Sequence, residues 1–343
     1  MIEKKRVTVR DVAERAGVST AVVSYVINDG PRPTSQDVRT RVQRAIVELD
    51  YHPNSAARGL RANRTHTIAF ATYDFRPNES FFSHYLGVML AAMTQALQEQ
   101  GHYLLLFPLT LGESNTALRQ LLREGRVDGI ATRFVTDPPE TDAVLQVIEA
   151  TRVPCVCVER PGDPKFGFPS VTYDDLEGGR LAVDHLLGIG HRRIAHIHGD
   201  MRYASAQARL SSYESTLRAA GIAVDPDLIV GSPWGTRDAN IATQRLLDLP
   251  NPPTAIFAAS DDLAIGAVQA IEHRGLSVPG DLAVIGFDDI PLSVEMTPRL
   301  STVRLPLEEM GRRTVGLLLD EHTTGARRES VSLPVELVLR DTA

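Results

Sequence analysis

An α/β fold is predicted, with an N-terminal all-α helix-turn-helix module ahead of a two-lobed core of parallel sheets flanked by helices. Three observations predict it. Residues 7–28 read as two short helices around a tight turn. From residue 67 onward, short β-rich runs alternate with amphipathic helical stretches, the pattern of a parallel sheet covered on both faces. That alternating region is about 280 residues long, more than one core comfortably holds.

The opening stretch, VTVRDVAERAGVSTAVVSYVIN, is organised by its caps. Thr8 suits an N-cap, and Asp11 three residues later suits the positive end of the helix dipole and a weak capping box. Val12, Ala13 and Ala16 make a small apolar face, and Gly17 fits the left-handed position that ends a helix. Ser19 caps the second helix, whose buried stripe is Val22, Val23, Val26 and Ile27. Its opposite face carries Thr20, Ala21, Ser24 and Tyr25, groups short or amphipathic enough to approach base edges and phosphates. Helix, turn and helix in this order place a second helix in a DNA major groove. An ordinary helical hairpin within a core has the same spacing.

A third helix spans about 34–49, with Val38, Val42, Ala45, Ile46 and Leu49 as its stripe. Three helices in about fifty residues enclose a small core. Tyr51-His52-Pro53-Asn54 then breaks the pattern and leads into Ser55-Ala56-Ala57-Arg58-Gly59-Leu60. That segment is shorter than the ~12 residues an isolated helix needs in water. Gly59 weakens it by ~1 kcal/mol against alanine. It is expected to order only when captured, and an exposed Leu60 in a basic linker wants a partner.

The chain has 343 residues and a formal net charge of −7, which by itself argues against a polyanionic partner. The distribution argues the other way. Residues 1–64 hold 12 Lys/Arg against 7 Asp/Glu, and residues 65–343 hold 24 against 36. A basic module on an acidic body is the electrostatic footprint of a nucleic-acid binder. No apolar run reaches membrane-spanning length and no signal peptide is evident, so a cytoplasmic protein without a membrane partner is expected. Cys155 and Cys157 flank Val156 in an apolar run, which suits buried free thiols rather than a disulfide or a metal site.

Strands are predicted at 68–73, 103–107, 129–131, 155–158, 193–198, 254–258 and 282–287. Helices are predicted near 82–100, 114–124, 139–150, 175–189, 205–220, 236–248 and 261–274. Parallel two-lobed proteins bind ligands at the carboxyl ends of their strands. Those ends carry Glu159 and Arg160, Asp288 and Asp289, and Ser260, Asp261 and Asp262. Arg209 and Trp234 lie near further ends. Tyr73, Phe75, Phe81 and Phe82 follow the first strand. Carboxylates and arginine hydrogen-bond sugar hydroxyls while aromatic rings cover the apolar face of a sugar. Asp261 also reads as a helix-terminal carboxylate, Asp289 as a solvated turn residue, Phe81 and Phe82 as core, and Glu159–Arg160 as an interlobe ion pair.

Enzymatic chemistry is not indicated. G-x-S-x-G, G-x-x-x-x-G-K and H-E-x-x-H are absent, and the place of a glycine-rich phosphate loop holds ATYDFRPN. His191, His196 and His198 lack a carboxylate or Cys partner at ligand spacing. No cofactor and no metal are expected. A solute-binding protein of the same core type predicts an export signal and no basic head, the reverse of this sequence.

The ordered set VTVRDVAERAGVST, VVS, VIN, YHPN, AARGLR, GHRRIAHI, AIGA, VIGFDDI and TVRLPLEEMG resembles the LacI/GalR family of bacterial transcription regulators over essentially the whole chain. The resemblance implies an operator-binding headpiece at 1–51 and a hinge helix at 52–65. It implies a periplasmic-binding-protein-like core at 66–343, with one lobe at about 66–163 and 293–324 and the other at about 164–292 and 325–343. It implies a homodimer on double-stranded, pseudo-palindromic operator DNA, most simply a repressor, with a small-molecule effector that is a mono- or oligosaccharide. Thr20, Ala21 and Tyr25 fall at base-reading positions, with Ala21 suited to a thymine methyl. Ser19, Ser24 and Asn28 fall at phosphate or supporting positions, and Thr8, Arg10 and Asn54 join the DNA-facing set. Leu60 falls where the family inserts a leucine into the minor groove. Glu159, Arg160, Arg209, Trp234, Ser260 and Asp288 fall at effector positions, with Tyr73, Phe81 and Phe82 beside them.

Overall fold

A computed structural model describes residues 7–27, 34–52, 64–73, 85–110, 115–134, 138–160, 165–324 and 329–343. The chain divides into two compact units, Met1–Thr65 and His66–Ala343.

The first unit is built on its caps. Helix α1 (Val9–Ala16) opens with a complete capping box: Thr8 Oγ1 accepts from the Asp11 N–H at 3.4 Å, and Asp11 Oδ2 accepts from the Thr8 N–H at 2.7 Å. The helix ends where Gly17 turns left-handed at φ 63°, a conformation that costs glycine no steric penalty. Ser19 Oγ then accepts from Val22 N–H at 3.4 Å and starts α2 (Thr20–Ile27). Helix α3 (Gln36–Glu48) begins two residues later than predicted because Ser35 is its N-cap. Val12, Ala13, Ala16, Val23, Val26, Val42 and Ala45 form the small core, with Ile27, Val38, Ile46 and Leu49 at its edge. Val22 is only half-buried.

The second unit holds two six-stranded sheets. The first contains β1 (Thr67–Thr72), β2 (Tyr103–Pro108), β3 (Gly129–Arg133), β4 (Cys155–Val158), β5 (Ser170–Tyr173) and β11 (Val331–Leu333), in the order β11-β5-β4-β3-β1-β2. All its pairings are parallel. The second contains β6 (Ile194–His198), β7 (Ile229–Gly231), β8 (Ala255–Ala258), β9 (Ala283–Asp288), β10 (Ser301–Arg304) and β12 (Glu336–Val338), in the order β12-β10-β9-β8-β6-β7. Here β12 alone runs antiparallel to its neighbour. The helices are α4 (Gly87–Glu99), α5 (Thr116–Arg123), α6 (Pro138–Glu149), α7 (Asp175–Gly188), α8 (Ala204–Ala219), α9 (Thr236–Leu247), α10 (Asp261–His273), the four-residue α11 (Leu292–Glu295) and α12 (Leu307–Thr324).

The central strands are covered on both faces, so β1, β4 and β8 are mainly apolar rather than alternating. In β1, Ile68 and Phe70 point into one cluster with Met89 and Met93 of α4, while Ala69 and Ala71 point into another with Ile130, Cys155 and Cys157. Both cysteines are buried and free. A third cluster, around Ile197, Ala258, Leu263 and Val284, fills the far face of the second sheet.

The chain passes between the sheets three times: from β5 to α7, from β10 to α12, and from β11 to β12. The expected lobe limits at 163/164, 292/293 and 324/325 therefore move. Residues 170–173 and 331–333 pair within the first sheet, and 301–304 and 336–338 within the second. Strands of three or four residues decide those limits, and such strands are too short to show a period.

Candidate nucleic-acid interface and ligand cleft

In the first unit, α2 presents the predicted reading face. Thr20 and Ala21 are exposed, Ser24 and Tyr25 are half-exposed, and Val23 and Val26 hold the opposite side against α1 and α3. Thr8, Arg10 and Ser19 are exposed, with Arg10 in a loose i,i+4 pair to Glu14 at 3.8 Å. Asn28, Asn54 and Leu60 lie outside the described residues, as do Phe75, Phe81 and Phe82.

In the second unit, the carboxyl ends of the strands converge on a polar cluster. Arg133, the last residue of β3, donates from Nε to Glu159 Oε2 at 2.7 Å; the two side chains are 3% and 10% exposed. Glu159 follows β4 with φ 63°, and its Oε1 is buried with no hydrogen-bond partner. The guanidinium carbon of Arg133 lies 5.6 Å from the Tyr85 ring centre and 5.9 Å from that of Tyr203. Tyr203 meets Trp234 edge-on at 5.5 Å. The Tyr85 and Tyr173 hydroxyls are 3.3 Å apart, and burial pushes both phenols well above their usual range, so both stay protonated. Glu159 thus pairs with the neighbouring strand rather than with Arg160, which is half-exposed.

Arg209 of α8 is the second buried cation. It donates from Nε to Asp175 Oδ1 at 2.7 Å, from a terminal nitrogen to the Ala259 carbonyl, and from the other to the Tyr173 hydroxyl at 3.2 Å. Its guanidinium carbon lies 3.6 Å from the Phe287 ring centre, and Asp288 Oδ1 is 3.7 Å from a terminal nitrogen. Burial opposes its charge, but Asp175, Tyr173 and Asp288 outweigh burial and raise its pKa. Burial also lifts the Asp175 and Asp288 carboxyls, against the pull of Arg209. Asp288 takes φ 122° and Asp289 φ 58°. Non-glycine residues at such angles cluster at ligand-binding turns.

The remaining predicted positions divide. Trp234 joins the cleft through Tyr203. Tyr73 is buried in the core cluster that holds Ala69 and Ala71. Ser260 is the N-cap of α10, its Oγ accepting from Leu263 N–H at 3.3 Å, which fixes the hydroxyl on the helix end. Asp261 is a structural tie: it accepts from Thr302 Oγ1 at 2.5 Å and from Ile290 N–H at 2.9 Å. Asp289 is no solvated turn residue. Arg304, Arg340 and Ser293 donate to it at 2.7, 2.6 and 2.9 Å. Although burial pushes its pKa up, those bonds hold it below the usual carboxylate range.

Arg133, Tyr85, Tyr173, Asp175 and Tyr203 were not predicted. Ending the third strand at residue 131 hid Arg133; two more residues would have exposed it to the strand-end rule. Tyr173 ends a strand too short to predict, and Asp175 starts the helix after it. Among the described residues no group of three or more His, Cys, Asp or Glu could hold a metal ion. His196 is a core residue, stacked on Tyr213 and Phe257, with Nδ1–H donating to the Phe257 carbonyl at 2.9 Å. Burial drives its pKa down to about 3.

Comparison with known proteins agrees with this layout. The domain described as bacterial regulatory proteins, lacI family, matches residues 8–54, and a periplasmic binding protein-like domain matches residues 183–343. The ribose operon repressor of Haemophilus influenzae is 34% identical over 319 residues, 91% of each chain. Among solved structures, a CelR–cellobiose complex superposes with a TM-score of 0.73 at 31% identity, covering 98% of this chain and 100% of that one. The Lac repressor dimer bound to operator and the anti-inducer ONPF gives 0.86 at 29% identity, covering 98% and 99%. These relatives are transcriptional regulators and repressors by name, not enzymes. The chain belongs to the lacI family of bacterial regulatory proteins.

Proposed function

We propose that this protein is a homodimeric transcriptional repressor that reads a pseudo-palindromic operator with α2 and is controlled by a sugar held between its two lobes. The carrying observation is the buried cluster at the carboxyl ends of both sheets: arginines, carboxylates and phenols beside the Tyr203–Trp234 pair, on a chain matched end to end by sugar-operon repressors. Thr20, Ala21 and Tyr25 read bases, Ser19, Ser24 and Asn28 contact phosphates or support the helix, and Thr8, Arg10 and Asn54 join the DNA-facing set. Leu60 enters the minor groove at the operator centre. The protein works in the compartment that holds the DNA, the cytoplasm.

The mechanism is linkage. Arg209 on α8 belongs to the second lobe, and its partner Tyr173 ends a strand of the first sheet. A sugar that inserts among these groups changes the relation of the lobes. That relation sets the spacing of two hinge segments too short to hold helix unaided. A coupling of ~1–3 kcal/mol changes operator affinity ~5–150-fold.

Selection of bound duplexes from a random pool, repeated with ribose and with cellobiose, tests this. A single palindromic consensus whose recovery changes with one sugar is the expected result. Tyr25→Ala should erase the consensus without lowering the thermal midpoint of the core. Arg209→Ala should keep the consensus and lose the sugar response. Binding without sequence preference at every salt concentration refutes the proposal.

A further inference from the structure

We infer that the cleft selects against anions: its effector is an uncharged polyhydroxylated molecule, and Glu159 is the residue that enforces this. The inference rests on the sugar reading above and narrows it.

Two guanidiniums are buried in the cleft, Arg133 at 2% and Arg209 at 3% exposure. A buried arginine with an open face is the usual receptor for a sugar carboxylate or phosphate, because it offers two parallel donors. Both are already engaged here. Arg133 is bonded to Glu159 and flanked by the Tyr85 and Tyr203 rings. Arg209 is bonded to Asp175, Ala259 and Tyr173, with Asp288 alongside and the Phe287 ring against its plane. Three acidic side chains thus face two guanidiniums among the described residues. Among the described residues, an incoming anion meets guanidiniums already engaged and must give up its water beside the buried Glu159 carboxylate, a repulsive element of the kind that sets specificity.

Among the described residues of the cleft, one buried carboxylate oxygen has no hydrogen-bond partner. Glu159 Oε2 is taken by Arg133, while Oε1 is buried with no partner. A buried carboxylate oxygen left unbonded costs free energy that a donor from a ligand restores. A sugar hydroxyl supplies that donor; a ligand carboxylate or phosphate oxygen at the same place does not. The Tyr85 and Tyr173 hydroxyls, already near each other, are partners for neighbouring hydroxyls, and Trp234 with Tyr203 offers an apolar wall.

Trp234 is the only tryptophan in the sequence, so intrinsic fluorescence of the full-length protein reports on the cleft. The probes are matched pairs: ribose and ribose 5-phosphate, glucose and glucuronate, cellobiose and cellobionate. In each pair with a binding member, the neutral sugar should bind at least tenfold more tightly. An anion that binds as well as or better than its neutral partner overturns the inference and leaves the sugar reading standing. No response to any of the six by fluorescence or calorimetry removes the sugar reading and this inference together. Glu159→Gln keeps the shape but strips the carboxylate from Arg133, and should cut the neutral-to-anion ratio at least tenfold while circular dichroism stays unchanged. An unchanged ratio in a folded Glu159→Gln protein refutes the role given to Glu159. Should that variant not fold, Glu159→Asp, which keeps the charge and shortens the reach, must preserve anion exclusion while weakening the neutral sugar; anion binding in it refutes the role as well.

Discussion

Asp261 has two jobs. As the first residue of α10 it lies at the positive end of that helix, and its two oxygens also tie the Thr302 hydroxyl of β10 and the Ile290 amide after β9. Burial pushes its pKa up to about 7, and the bonds from Thr302 and Ile290 only partly offset that. An unfolded aspartate titrates near ~3.9. Between those values the folded protein holds a proton that the unfolded chain has released. Stability therefore falls as pH rises from about 4 to about 7 and is level above that. At ~1.4 kcal/mol per pKa unit the effect is at most ~4 kcal/mol. Asp175 and Asp288, also raised by burial, add slope of the same sign. Asp289 acts oppositely: its bonds hold its pKa low, so its contribution is present above the usual carboxylate range and is lost as pH falls below it. Urea midpoints measured at pH 5.0 and 7.5 should be higher at the lower pH. Asp261→Asn should shrink the difference, and an unaltered difference contradicts the assignment.

At the scale of elements, the join between β6 and the cleft rests on one glycine. A Cβ on Gly199, the residue after β6, would come 2.3 Å from the Trp234 ring. Trp234 therefore sits where it does only because the strand ends in glycine. Gly199→Ala should displace the indole, shift its emission and weaken sugar binding about tenfold. Overpacking of this kind costs ~1–3 kcal/mol. Unchanged emission and affinity would remove Trp234 from the effector site. What the sequence revealed and concealed follows the same elements. Runs such as IAFA in β1 and CVCV in β4 are wholly apolar, and the helices between them are periodic, so the alternation and its two lobes were legible. The strands SVTY, IVG, STVR, VSL and ELV are not. Each is three or four residues long, and each becomes a strand by pairing with a partner distant in the chain. The site suffered accordingly. The strand-end rule reached Glu159 and Asp288, which stand at the ends of legible strands. Tyr173, at the end of a concealed one, was missed. Ser260 reads as a ligand position in the sequence, and only the folded helix end shows that its oxygen caps α10.

For the whole molecule, the proposed control of DNA by sugar needs two copies. One headpiece is a small module with a slight positive balance, and phosphate contacts of that kind give only weak, salt-sensitive binding. Tethering two heads on one operator makes the second binding event intramolecular and raises affinity ~100–10,000-fold without a new contact. The surface best suited to pairing is the open edge of the first sheet. There, among the described residues, β2 pairs with β1 alone, Tyr103 is 69% and Leu106 44% exposed, and Leu90, Ala91 and Thr94 of α4 line a groove with Leu104 and Leu106. A long, apolar, unpaired edge is unusual on a protein that stays alone. Leu106→Arg places a charge on that edge without touching the cleft or the headpiece. Sedimentation should then give a monomer, specific operator affinity should fall about 100-fold or more, and the fluorescence response to sugar should persist. A Leu106→Arg protein that remains dimeric and binds operator normally would move the interface elsewhere. Loss of the sugar response along with the dimer would mean instead that the cleft is complete only when two copies meet, and that sensing and assembly are one event.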